Sequence, residues 1–338
     1  MSYARRLTAW LVASSFLLLT VTAHSADVPK LRAGIIGLDT SHVIAFTKML
    51  NAADVASELA NCRVVAAYPK GSPDIESSVT RVPKYTAQVK EMGVEIVDSI
   101  ETLIDKVDVV LLETNDGRPH LKQIIPAIKA GKPVFIDKPI AGSLVDAIAI
   151  FEFAKKHNVP VFSSSSLRYG KNSQAVRHGS IGKVTDCVTQ SPASLEKTHP
   201  DLFWYGIHGV ESLFTVMGTG CQAVKRGKTA DGKIEVVGSW PGNRSGTFRE
   251  GKGYSGTAQG SKGETAVGSY DGYRPLLVEI VRFFRTGKPP VTASETIEIY
   301  AFMEAADESK RNKGASVPLK PLIQKARQQA IKKIAEFE

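Results

Sequence analysis

A chain of 338 residues is long enough for two domains with cores of their own. Its 43 Lys+Arg against 34 Asp+Glu leave a formal charge of +9, but the basic residues are spread out and no run of them is interleaved with aromatics, which argues against a nucleic-acid partner. Three scattered cysteines (Cys62, Cys187, Cys221) exclude a disulfide framework and a C-x-x-C metal pair, so buried thiols are expected, with one bridge left open to an exported protein.

Residues 1–26 read as a secretory signal. Arg5 and Arg6 form the positive end, Leu7 to Val21 the apolar core, and Ala23, Ser25 and Ala26 offer small residues for cleavage. The apolar run falls short of the roughly 20 residues of a spanning helix. An exported protein, periplasmic or secreted and without stable membrane insertion after cleavage, is therefore expected. Loss of Arg5 and Arg6 lowers the formal charge from +9 to +7. The paired arginines also raise export in a folded, cofactor-loaded state, on weak flanking residues.

Residues 27–162 alternate strands with helices. Leu31 to Leu50 reads as a strand, a tight turn at Gly37, and a helix capped by Thr40 or Ser41, with Val43, Phe46 and Leu50 at helical spacing. Strands follow at Cys62–Tyr68, Val94–Val97, Val107–Leu112, Pro133–Ile136 and Val159–Phe162. Helices fall near Ser99–Lys106, Leu121–Ala130 and Ser143–His157. This alternation predicts a Rossmann-like, doubly wound parallel sheet. Its first turn is where such folds hold a dinucleotide, on glycine backbone and a helix N-terminus. Here a G-x-G-x-x-G reading meets Asp39 and His42 where glycines are wanted, and most of the motif's specificity goes with them.

After a polar linker at Ser163–Ser166 the texture changes. Residues 163–320 mix glycine-rich, strand-like segments (Gly182–Val184, Lys233–Val237, the hairpin-like Gly253–Tyr273) with helices near Tyr205–Met217, Leu276–Thr286 and Glu295–Asn312. An α+β domain with an open, mainly antiparallel sheet is expected. Such a face is often covered by a second subunit, so a homo-oligomer is expected too. Residues 321–338 form a basic helix, expected to pack on the body or a partner, with a membrane-surface role as the alternative.

Ala33-Gly34-Ile35-Ile36-Gly37, the segment Ala127 to Pro139 (AIKAGKPVFIDKP), Leu167-Arg168-Tyr169, Gly206-Ile207-His208 and the late helix Ile297–Arg311 follow in that order. Together they resemble the Gfo/Idh/MocA group, the glucose-fructose oxidoreductase and inositol dehydrogenase family, over nearly all of the chain after residue 26. The resemblance implies an NAD(P)-binding Rossmann domain joined to an open-faced α/β domain, and oxidation or reduction of a hydroxyl on a sugar or polyol. The chain departs from the family at several places. Asp137-Lys138-Pro139 stands for Glu-Lys-Pro, Trp204 for the aspartate four residues before the site histidine, and Tyr68 for the acid that holds the adenosine ribose.

Hydride transfer from an alcohol needs a base, a cation for the developing alkoxide and a nicotinamide. Lys138, at the carboxyl end of a parallel strand, would hold the reacting oxygen and the nicotinamide ribose; a surface lysine before a structural proline is the alternative. His208 would move the proton, against a buried core histidine. Glu211, one helical turn on, would orient that imidazole or cover a helix face, and Tyr205 would supply a phenol. Trp204 is expected to pack in a core or interface, with an apolar platform for a sugar face as the alternative; His120 is expected to be structural, and Arg168 and Tyr169 to line the domain junction. Gly37, Leu38, Thr40, Ser41, Thr114, Asn115 and Lys138 would hold NAD or NADP, with Tyr68, Lys70 and Ser72 at the adenosine end; Lys70 and Ser72 could bind a 2′-phosphate, favouring NADP by charge alone, against an ordinary Lys-Gly-Ser loop turn. Asp39 and His42 with His208 or Glu211 suggest a metal, but lack local ligand spacing, so none is expected. An exported enzyme lacks a ready pool of free nicotinamide, so a tightly held cofactor is expected. The alternative is a non-redox sugar-binding protein, lyase or hydrolase on the same scaffold; a purely structural partner in an envelope complex is a third.

Overall fold

The computed structural model describes residues 30–337; the expected signal segment lies outside them. The first half is built from β1 (Leu31–Ile36), α1 (Ser41–Leu50), β2 (Cys62–Tyr68), α2 (Glu76–Glu91), β3 (Glu95–Ile96) and α3 (Ile100–Lys106). It continues through β4 (Val109–Leu112), α4 (His120–Lys129), β5 (Val134–Ile136), α5 (Leu144–Lys156) and β6 (Val161–Ser163). All six strands are parallel, in the order β3-β2-β1-β4-β5-β6. The order reverses between β1 and β4, so the crevice at their carboxyl ends is the place for a ligand. Helix α2 is not anticipated by apolar periodicity: Pro83 lies inside it and only Ser78 and Val89 are buried.

The second half begins with a short 3₁₀ turn, Ser166–Tyr169, then α6 (Lys171–Arg177), β7 (Val184–Ser191), α7 (Ile207–Met217), β8 (Ala223–Lys228) and β9 (Ile234–Trp240). β10 (Arg244–Glu250), β11 (Ser255–Gly260), β12 (Gly263–Ala266), α8 (Arg274–Thr286), α9 (Ala293–Arg311), β13 (Val317–Pro318) and α10 (Leu319–Ile334) complete it. Its seven strands run in the order β12-β11-β7-β10-β9-β8-β13. Every pair is antiparallel except β7 with β10. Helix α7, buried along its whole length, packs against β7 and β10 on one face of this sheet.

Chain order and packing part company at the end. Leu276, Leu277, Ile280 and Phe283 of α8 join Phe46, Phe135 and Phe162 in one core, so α8 covers a face of the first sheet beside α1. Helix α10 lies on α5, where Arg327 pairs with Glu152 at 2.6 Å and Lys333 with Asp146. The basic C-terminal helix thus packs on the body. Among the described residues no helix is long and apolar enough to cross a membrane, and Cys62, Cys187 and Cys221 are buried free thiols.

Candidate active site

The first turn lies against the β4 loop. Gly37 has φ +88°, and a Cβ there would come within 2.4 Å of Thr114 Oγ1 and 2.5 Å of its backbone nitrogen, so only glycine fits. Thr40 is the cap, its Oγ1 accepting the His42 N–H at 3.4 Å. Asp39, which stands where the motif wants a glycine, turns inward. Its buried carboxylate accepts from the Ser78 hydroxyl at 2.7 Å and the Asn115 N–H at 2.8 Å. Burial holds its pKa up. Arg81 of α2 donates to the Asp39 carbonyl at 3.3 Å.

Lys138 leaves β5 at a cis peptide to Pro139. It is 7% exposed, with its ammonium 5.5 Å from the centre of the Tyr205 ring. Burial lowers its pKa, against the raising charges of Asp137 and Glu113. His208, from the start of α7, reaches the same cleft, and its Nδ1 lies 2.7 Å from Ser165 Oγ. Burial and then the positive charge of Lys138 push its pKa well below the ordinary histidine value, so the imidazole is neutral at neutral pH.

The shared cleft has a volume of about 390 Å³. Thr40, Ser41, Asn115, Lys138, Tyr205 and His208 line it, with Arg81 at one side and Trp204, Tyr254, Tyr270 and Tyr273 as an aromatic wall. Trp204 faces this space, as the platform alternative has it, and its ring also packs 5.0 Å from His199. The Tyr205 and Tyr254 hydroxyls meet at 3.0 Å. A wider groove of about 590 Å³, lined by Arg168, Arg177, Arg274 and Glu279 among others, contains none of these cleft residues.

Other candidates lie elsewhere. Glu211 does not orient His208. Its Oε1 accepts from Arg168 Nε at 2.6 Å and from the Ser164 hydroxyl at 3.0 Å, and Ser165 holds the imidazole instead. Ser72 is not free for a phosphate, because its hydroxyl donates to Asp116 at 2.5 Å. Burial opposes the charge on Asp116, but His199, Arg118 and Ser72 hold its pKa low. The Leu38 side chain belongs to the core. Thr114 is buried beneath Gly37, Tyr68 is half-buried against the core, and Lys70 is exposed. None of these four lines the cleft. Asp39 and His42 do not converge with His208 and Glu211 as metal ligands: Asp39 is held by Ser78 and Asn115, and His42 Nδ1 stands 2.6 Å from Asp137 Oδ2. His120 is structural, bonded to the carbonyls of Thr114 and Ile140.

Sequence reasoning missed Ser165, because a four-serine run reads as a linker; all four serines are buried. It also missed Arg81 and the tyrosines at 254, 270 and 273, which reach the cleft from distant elements and carry no local signal.

Residues 31–165 match the GFO_IDH_MocA model, an oxidoreductase family with an NAD-binding Rossmann fold. Over 113 residues the chain is 34% identical to a myo-inositol 2-dehydrogenase of Thermotoga maritima, 31% of this chain and 34% of that one. Over 178 residues it is 24% identical to inositol 2-dehydrogenase 3 of Saccharopolyspora erythraea, 50% of this chain and 47% of that one. The matches thus span about a third to a half of these curated relatives. Among solved structures, a probable dehydrogenase from Thermotoga maritima superposes with a TM-score of 0.69 at 22% identity, covering 86% of this chain and 99% of that one. A scyllo-inositol dehydrogenase from Lactobacillus casei, solved with NAD(H) and scyllo-inositol, gives 0.65 at 17% identity over 86% and 99%. At these identities the likeness is one of fold.

Proposed function

We infer that the chain, over nearly all of its length after residue 26, is a Gfo/Idh/MocA-type oxidoreductase acting with NAD or NADP on a secondary hydroxyl of a sugar or polyol. The observation that carries this reading is that Lys138, from the end of β5, and His208, from the start of α7, line one cleft at the N-terminus of α1. The turn fits a dinucleotide in two respects. Gly37 allows close backbone approach, and the inward Asp39 leaves Thr40 and Ser41 at the open helix N-terminus. Thr40, Ser41, Asn115 and Lys138 would hold the cofactor, and exposed Lys70, just beyond β2, would favour a 2′-phosphate by charge. When bound, NAD(P) supplies the hydride acceptor or donor.

The protein's own residues do the rest. The Lys138 ammonium holds the reacting oxygen and stabilises the alkoxide as it forms. Neutral His208, its ring fixed by Ser165, takes the hydroxyl proton. Tyr205, Trp204 and Tyr254 offer ring faces to the apolar side of a sugar. Export and a retained cofactor belong to the same reading, as does a homo-oligomer. Mass spectrometry of gently extracted native protein is expected to find a nicotinamide dinucleotide, and cofactor-free protein is expected to bind NAD or NADP saturably. If neither is seen, the reading fails.

One observation favours the non-redox alternative. Helix α2 closes down on the first turn: Ser78 bonds Asp39 and the Ser72 N–H, and a Cβ at Gly71 would lie 2.1 Å from Ser78 Oγ. This is the adenosine side of the crevice. Under that reading, dialysed protein turns over or binds sugar without NAD(P), and Lys138→Ala and His208→Ala impair it alike.

A further inference from the structure

Where His42 lines the cleft, three side chains from three elements converge: His42 from α1, Glu113 from the end of β4 and Asp137 from the end of β5. Each offers one ligand atom, and those atoms lie within 4.8 Å of one another. The three residues are 5%, 0% and 2% exposed. Two features separate this cluster from an ordinary buried ion pair. The His42 Nδ1 to Asp137 Oδ2 contact is 2.6 Å, yet no aligned hydrogen bond closes it. Both Glu113 oxygens, fully buried, accept from no N–H or hydroxyl donor among the described residues, and the polar group beside them is the Asp137 carboxyl. A buried carboxylate with no donor is costly, and a second carboxylate beside it makes matters worse.

We propose that His42 Nδ1, Glu113 and Asp137 form a binding site for one divalent transition cation of the zinc or manganese class. One imidazole and two carboxylates suit such an ion. Two carboxylate charges balance it without protons. The ion ties the N-terminus of α1 to the ends of β4 and β5, at the point where the strand order reverses. The Asp137 Oδ1 that accepts the Lys138 N–H at 2.8 Å places the adjoining lysine under the same control. The site makes no use of nicotinamide, so its test is independent of the redox reading.

The test uses the full chain, freed of metal by chelation and titrated with Co²⁺, then Zn²⁺, without nicotinamide. Expected are saturable visible Co²⁺ bands of nitrogen–oxygen ligation, displacement by Zn²⁺, about one ion per chain after desalting by elemental analysis, and a raised Tm. Glu113→Gln keeps the shape but removes a ligand charge, and is expected to weaken uptake by about tenfold or more. The wild-type titration stands even if that variant does not fold. No saturable Co²⁺ spectrum, or uptake unchanged in both Glu113→Gln and His42→Gln, would overturn the site. The first result leaves Glu113 and Asp137 as a proton-sharing acid pair; the second places the ion elsewhere.

Discussion

At the scale of single residues, the chemistry turns on the protonation state of His208. Burial and then the charge of the neighbouring Lys138 keep its pKa well below the ordinary value, so the neutral imidazole is ready as a base. The folded pKa is the lower one, so the unfolded chain takes up the proton first as pH falls. The contribution of neutral His208 to stability is complete above about pH 6.5 and is lost as pH falls from there through the folded value. The acid limb of kcat for alcohol oxidation should likewise lie below the usual histidine range. A pH–rate profile checks this, and a limb at or above about 6.5 would exclude His208 as the base. His208→Ala is expected to lower kcat by about 10²–10⁴-fold while leaving dinucleotide titration intact. Gly37→Ala tests the turn: positive φ and contact with Thr114 predict a loss of about 1–3 kcal/mol in urea unfolding and weaker dinucleotide binding.

At the scale of elements, a buried ionic knot sets the position of α7. Arg168, on the 3₁₀ turn after β6, reaches Glu211 of α7 at 2.6 Å and Glu295 of α9 at 2.8 Å. Arg177 of α6 completes it on Glu295 at 2.9 Å. Arg168, Glu211 and Glu295 are 2%, 4% and 4% exposed, so solvent screens them little. Ser164 bonds Glu211 while Ser165 bonds His208, and thus the knot and the base share one short segment. Among the described residues, Arg168→Leu leaves the buried Glu211 carboxylate without a cation and Glu295 with Arg177 alone, and is expected to cost about 3–5 kcal/mol in chemical denaturation. Where the variant still folds, kcat should fall with it; unchanged stability would mean that water repairs the gap. The first parallel strands, α1, α4, α5 and α7 are legible in the sequence because each carries a sustained apolar pattern. Helix α2 is not, since most of its surface stays wet, and neither is the serine run, since local composition does not report burial.

At the scale of the whole molecule, the two sheets are not separate bodies joined by a linker. Helix α8 returns to cover Phe135 and Phe162 on the first sheet, and α10 returns to α5. Residues 27–162 expressed alone would expose that phenylalanine face to water. Such a fragment is expected to aggregate or to show no cooperative unfolding by circular dichroism. A soluble fragment with a sharp transition would mean that α8 is dispensable.

Periodicity, glycine placement and the order of short motifs were enough to predict a parallel α/β half followed by a mainly antiparallel half, and to single out Lys138 and His208. Those signals act over a few residues or within one element, where local backbone preference and burial pattern dominate. Tertiary structure alone decided that Asp39 turns inward, that Ser165 rather than Glu211 holds the imidazole, that Ser72 is spent on Asp116, and that His42, Glu113 and Asp137 meet. Each depends on which distant group folding brings within about 3 Å, and a side chain's hydrogen-bond partner leaves no trace in its neighbours along the chain.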